Sequence, residues 1–105
     1  MGWVMQKLVE VNLSDFRIFE TDEFIKRLEK MSSMDAARIR SKLKSYVYPQ
    51  LREDPFWGPN IKKLRDYTPS TWRYRINKFR LFYTVETIEK VVFILTIEFR
   101  KNAYK

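Results

Sequence analysis

The sequence predicts an α+β domain: two helices packed on one face of a four-stranded antiparallel sheet, in the order β-α-α-β-β-β. Three observations carry this expectation. Trp72 to Val85 reads as two arms of aromatic and β-branched residues around Asn77-Lys78, the pattern of a hairpin with a two-residue turn. Upstream, two stretches place apolar residues at helical spacing behind Thr21 and Ser32-Ser33. Downstream, Val91-Val92-Phe93-Ile94-Leu95-Thr96-Ile97 is almost continuously apolar, as a central strand covered on much of both faces should be.

Taken in order, Met1 to Leu13 shows no clear period: Gln6 to Val11 reads as a short strand, or the segment as a tail that docks by Trp3 and Leu8. Asp15 to Glu20 alternates, with Phe16, Ile18 and Glu20 on one side, and is expected to be the first strand of the sheet. Thr21 then offers an N-cap, while Asp22 and Glu23 favour the positive end of a helix dipole. Phe24, Leu28 and Met31 give this helix its apolar stripe to about Lys30. Ser32 and Ser33 break it and cap a second helix, whose predicted buried stripe is Ala36, Ile39, Leu43, Tyr46 and Val47. Arg38, Arg40, Lys42 and Lys44 fall mostly off that stripe, on what should be a solvated surface. Pro49 is expected to kink or end the helix near Tyr48. Asp54 to Asn60 is rich in turn residues, and its aromatics Phe56 and Trp57 are expected to cap the core. Ile61 to Thr71 reads as a connecting loop that brings Lys62, Lys63 and Arg65 to the rim of the sheet.

The two-residue turn fixes the hairpin register. Ile76 should face Phe79, Tyr74 should face Leu81 and Trp72 should face Tyr83, giving one apolar face. The other face then sets Arg75 opposite Arg80 and Arg73 opposite Phe82. Like charges directly opposite each other destabilise a sheet, so a hairpin that accumulates them suggests an anionic ligand on that face. For any single arginine a solvated face is the plainer reading. For the set it weakens, because the segment from Trp72 to Val85 holds no acid.

Composition narrows the chemistry. At 105 residues the chain is one domain with enough apolar content, 45%, for a single core. It contains no cysteine and no histidine. Disulfides, thiolate zinc sites, cysteine nucleophiles and the commonest general base are therefore excluded. The sequence also shows no spaced carboxylate set for a metal, and no cofactor is expected. The net charge of +8 is one-sided: residues 1–59 hold 10 basic against 9 acidic residues, residues 60–105 hold 11 against 4. Such a field suits nucleic acid, a membrane surface or an acidic protein. No run approaches a transmembrane helix and no secretion signal opens the chain, so a soluble cytoplasmic protein is expected.

RNA carries its own nucleophile, the 2′-hydroxyl. Its cleavage therefore needs no histidine, cysteine or metal in principle, only an in-line phosphate and cations that stabilise the developing charge. Arginine forks suit that task. Arg73, Arg75, Arg80 and Arg100 supply them, and Tyr104 supplies a hydroxyl that cations could activate. Lys62, Lys63 and Lys101 add phosphate-binding charge.

The same segments resemble the RelE/ParE toxin superfamily. The resemblance rests on Phe16-Arg17-Ile18-Phe19-Glu20, Phe24 to Leu28, Asp54-Pro55-Phe56 and Leu64. It continues through Trp72-Arg73-Tyr74-Arg75-Ile76, Phe79-Arg80-Leu81-Phe82-Tyr83, Val91 to Ile97, and Arg100 followed four residues on by Tyr104. It spans residues 15–105 in order and leaves residues 1–14 as an N-terminal extension. It implies the toxin half of a type II toxin–antitoxin pair, restrained by an acidic antitoxin and meeting DNA only through that complex. RelE-like members cut mRNA on the ribosome and leave a 2′,3′-cyclic phosphate; ParE-like members poison DNA gyrase. By position, Arg80 matches the arginine that stabilises the transition state and Arg100 a late phosphate-binding arginine. Tyr104 matches the tyrosine that orients or activates the 2′-hydroxyl. Arg73 and Arg75 stand where RelE-like enzymes carry lysines, and Phe99 stands where many relatives carry histidine. The implied function is a metal-independent mRNA endonuclease. The alternative is a gyrase inhibitor, or a homologue that only binds its antitoxin.

Overall fold

The computed structural model describes residues 15–100, and both readings of Met1 to Leu13 lie outside the described residues. In chain order the elements are β1 (Arg17–Glu20), α1 (Asp22–Glu29), α2 (Ser33–Lys42), a π-helical turn (Leu43–Val47), α3 (Tyr48–Glu53), β2 (Ile61–Lys63), β3 (Trp72–Ile76), β4 (Phe79–Glu86) and β5 (Val91–Phe99). The sheet order is β1-β5-β4-β3-β2. The α+β class and the helices-then-meander order are as predicted. The sheet differs in two respects. It has five strands, because Ile61–Lys63, expected as loop, pairs antiparallel with Trp72–Tyr74. It is mixed, because β1 lies parallel to β5, with Ile18 beside Val92 and Glu20 beside Ile94. A three-residue edge strand leaves too short a pattern to read, and a partner more than seventy residues away leaves none.

The hairpin register is as predicted at all five pairs from Trp72↔Tyr83 to Ile76↔Phe79. Asn77 takes φ 53°, the left-handed conformation that asparagine tolerates in such turns. The helix caps also form as expected. Thr21 Oγ1 accepts from Phe24 N at 3.3 Å and donates to Ile94 O at 2.7 Å, so one side chain caps α1 and ties it to β5. Ser32 Oγ accepts from Asp35 N at 3.1 Å and starts α2.

The core lies between the helices and one sheet face. Phe24 and Leu28 of α1, Ile39 of α2, and Leu43, Val47 and Leu51 from the turn and α3 bury against Tyr74, Ile76, Leu81, Tyr83, Val92, Ile94 and Ile97. Phe56 packs edge-on to Trp72 and Phe16, with ring centroids 5.2 and 6.1 Å apart, and so covers the core rim as expected. Trp57 does not cap the core: it is 79% exposed.

Pro49 does not end the second helix. Proline lacks the N–H of the helical ladder, and its ring would clash with the carbonyl four residues back. Here the preceding turn widens to π geometry, Tyr48 N donates to Leu43 O, and Pro49 enters the first turn of α3, where no N–H is needed. The helix therefore runs on to Glu53. The widened turn also upsets the regular 3.6-residue stripe. Leu43 and Val47 stay buried, while Tyr46, expected in the core, stands 64% exposed.

Candidate functional site

β2 covers β3 only as far as Tyr74, so Arg75 and Ile76 run past it towards the hairpin turn. A cleft of about 620 Å³ opens at this end of the sheet. One wall comes from the second helix, through Lys42, Tyr46, Val47 and Gln50. The other comes from the hairpin and the end of β5, through Tyr74, Arg75, Ile76, Asn77, Arg80 and Arg100, with Asn60 at the margin. Four of these side chains are cationic and none is acidic. With no acid lining the cleft among the described residues, their fields add, and an anion entering the cleft meets them together.

The walls are held by specific contacts. Arg75 N donates to Asn60 O at 2.9 Å, which continues the pairing one residue beyond β2. Tyr74 OH donates to Gln50 Oε1 at 2.8 Å, and Gln50 Nε2 donates to Trp57 O at 3.1 Å, so Gln50 bridges helix, sheet and loop. Gly58 makes this possible: a Cβ there would lie 1.9 Å from Gln50 Nε2. Arg100 N donates to Lys78 O at 2.7 Å and fixes the end of β5 beside the turn.

Arg80 corrects one expectation. Its register opposite Arg75 is right, but it does not stand out into solvent; it is only 5% exposed. The guanidinium folds back along its own strand, and its NH1 donates to Asn77 O and Phe79 O, both at 2.9 Å. Both acceptors are neutral carbonyls. Glu98, its cross-strand neighbour on β5, pairs instead with Arg27 at 2.7 Å. Among the described residues Arg80 therefore has no carboxylate, and its Nε is buried without a partner. A guanidinium removed from water without a counter-charge is costly. Held rigidly in an acid-free cleft, it offers the remainder of its charge to a ligand.

The structure thus brings Arg75, Arg80 and Arg100 together. Arg73 lies elsewhere, half-buried between Lys62 and Phe82 in register, with its Nε also buried and unpartnered. Lys62 and Lys63 are exposed on the edge strand, outside the cleft, where the Lys63 ammonium sits 5.6 Å from the Trp72 ring centroid. Lys101 and Tyr104 lie outside the described residues. The sequence reading missed Lys42 and Tyr46, placing one on a solvated surface and the other in the core. The available signal was Pro49, because a proline that does not stop a helix must deform the turn before it.

A second arginine–tyrosine cluster sits on β1 and the same helix. The Glu20 carboxylate accepts hydrogen bonds from both Arg40 NH1 and Tyr48 OH. Burial, then the Glu20 contact, raises the Tyr48 pKa well above the ordinary 10.0. Burial likewise raises Tyr83, whose hydroxyl donates to Pro55 O at 2.6 Å. Both hydroxyls stay protonated and structural. Among the described residues no three potential ligands gather that could hold a metal ion, and no helix is long and apolar enough to cross a membrane.

No family model matches the sequence, and no curated protein matches it either. Solved structures do. The toxin–antitoxin complex RelBE2 of Mycobacterium tuberculosis aligns at TM-score 0.65 and 21% identity, covering 82% of this chain and 99% of that one. The archaeal RelE–RelB complex of Pyrococcus horikoshii aligns at TM-score 0.61 and 22% identity, covering 84% and 98%. The isolated RelE toxin of E. coli aligns at TM-score 0.60 and 21% identity, covering 85% and 88%. The chain has the RelE-like fold.

Proposed function

We propose that this RelE-fold chain is the toxin of a type II toxin–antitoxin pair and acts as a ribosome-dependent mRNA endonuclease. The observation that carries the reading is the acid-free cleft that gathers Arg75, Arg80 and Arg100 around a buried guanidinium without a carboxylate. In this reading the 2′-oxygen attacks the adjacent phosphorus, the bond to the 5′-oxygen breaks, and a 2′,3′-cyclic phosphate and a 5′-hydroxyl result. Arg80 stabilises the charge that builds on the non-bridging oxygens, because it is already fixed and needs no reorganisation. Arg75 and Arg100 hold the phosphate in line. Tyr104 orients the 2′-hydroxyl, and the proton that this group loses ends on the departing 5′-oxygen. Arg73, Lys62, Lys63 and Lys101 bind the flanking backbone.

The basic second half of the chain also suits an acidic, partly disordered antitoxin that folds on contact. The three structures named above, two of them antitoxin complexes, make such a partner the natural expectation. The protein works in the cytoplasm, where its substrate is translated.

Induced expression tests the proposal. Growth should arrest, new mRNA 5′ ends should appear within translated regions, and an acidic protein encoded beside this chain should restore growth. A gyrase supercoiling assay runs in parallel. Arrest with intact mRNA and gyrase-linked DNA breaks would replace the nuclease with a gyrase inhibitor. Absence of arrest, with the antitoxin still bound, would leave only the binding function.

A further inference from the structure

The helical wall of the cleft adds one cation, Lys42, and beside it an exposed aromatic ring, Tyr46. We infer that Tyr46, backed by Lys42, is a stacking platform for one nucleobase of the single-stranded RNA next to the phosphate held by Arg75, Arg80 and Arg100; this rests on the nuclease reading above. Three observations place it. Tyr46 is 64% exposed although Leu43 and Val47, its neighbours in the same turn, are buried to within 2%. Burying it would be the ordinary outcome for a tyrosine on a helix that packs against a sheet. The π-helical turn is what carries the ring out of the core and onto the cleft wall, and such turns are frequent at functional sites.

The Lys42 ammonium lies 5.0 Å from the Tyr46 ring centroid. It holds the ring by cation–π attraction and leaves the opposite face for a flat partner. The ligand chemistry follows from the two walls. Arginines opposite an exposed ring suit a group that is anionic at one end and a π surface at the other, which is what each nucleotide of an unpaired strand offers. Stacking tolerates every base, so the platform would add affinity with little sequence preference.

The test uses the full-length protein and two fluorescent RNA octamers. Both carry a 2′-deoxy block at the cleavage position, and one lacks the base beside it. Fluorescence anisotropy is read for the wild type and for Tyr46→Phe, Tyr46→Leu and Arg80→Lys. Tyr46→Leu should weaken the intact octamer about 10-fold and leave the abasic one unchanged. Tyr46→Phe should bind like wild type, and Arg80→Lys should weaken both octamers. Equal binding of the intact octamer by wild type and Tyr46→Leu overturns the platform while leaving the phosphate site standing. Equal losses on both octamers in Tyr46→Leu overturn it as well, since the ring would then act on the backbone. Wild-type protein that binds neither octamer overturns the platform, while the ribosome-dependent nuclease reading stands or falls on the mRNA 5′ ends described above.

Discussion

The second helix serves two clusters that pair arginine with tyrosine, and they are built on opposite rules. On the β1 side, Arg40 and Tyr48 share the Glu20 carboxylate, so the cation is neutralised and the hydroxyl satisfied. At the turn end of the sheet, Arg75, Arg80, Arg100 and Tyr46 line a cleft to which no acid contributes among the described residues. Arg80 is more deeply buried than Arg40, yet among the described residues only carbonyl oxygens partner it. A folded protein seldom leaves a buried charge uncompensated, because its desolvation is repaid only by partners. On the proposed reading the first cluster serves stability and the second a ligand, and mutations should separate them.

The largest effect is expected at Arg80. Arg80→Ala should lower RNA cleavage by about 100-fold or more, the usual loss for one preorganised charge-stabilising donor. Its stability cost should be smaller, since the loss of two hydrogen bonds is offset by removal of an unpaired buried charge. Cleavage of a reporter message and denaturant unfolding, measured side by side, check this. A variant that loses several kcal/mol of stability yet keeps its cleavage per folded molecule would make Arg80 structural.

Glu20→Gln should do the reverse. Arg40 loses its counter-charge and the Tyr48 hydroxyl its ionised acceptor, at a cost of about 1–3 kcal/mol. Most of that belongs to Tyr48, because the Arg40 side chain is 45% exposed and water screens its pair. Cleavage per folded molecule should not change, and a specific activity that falls with stability would erase the distinction between the clusters.

Alkaline pH offers a third separation. The folded pKa of Tyr48 and of Tyr83 is raised, so each contributes stability that is fully present below the unfolded value of 10.0 and is lost as pH climbs beyond it. Thermal unfolding should therefore show a falling melting temperature above about pH 10. Tyr48→Phe should flatten that fall while lowering stability at neutral pH. An alkaline limb identical in wild type and Tyr48→Phe would show that the Glu20 cluster does not hold the tyrosine proton.

The smallest effect is expected at Arg75. It is exposed and directly opposite Arg80, so Arg75→Ala should stabilise by about 0.2–1 kcal/mol as the like-charge pair disappears. RNA binding should nonetheless weaken and become less sensitive to salt, since one phosphate contact is gone. A salt slope unchanged from wild type would remove Arg75 from the site.

Much of this was legible in the chain. Short-range rules gave the turn at Asn77, hence the whole hairpin register, and the caps at Thr21 and Ser32, because each depends on residues within three or four positions. The basic bias of residues 60–105 marked the side of the molecule that carries the cleft. What failed did so for physical reasons. Pro49 was expected to kink or end the helix near Tyr48 because a proline's local penalty is readable, whereas a π turn that absorbs it while Leu43, Val47 and Leu51 stay in the core has no local signature. Tyr46 was placed in the core by a period that the widened turn breaks. Arg80 was expected to project outwards because its face was known and its rotamer was not.

The sequence by itself determined the fold class, the meander, its register and the surplus of arginine near the turn, since alternation, turn chemistry and capping act locally. Tertiary structure alone decided that β1 joins β5 in parallel, that Ile61–Lys63 becomes an edge strand, and that the second helix brings Lys42 and Tyr46 to face Arg75 and Arg80. Those outcomes depend on which distant surfaces bury one another, and no periodicity within a single segment records that.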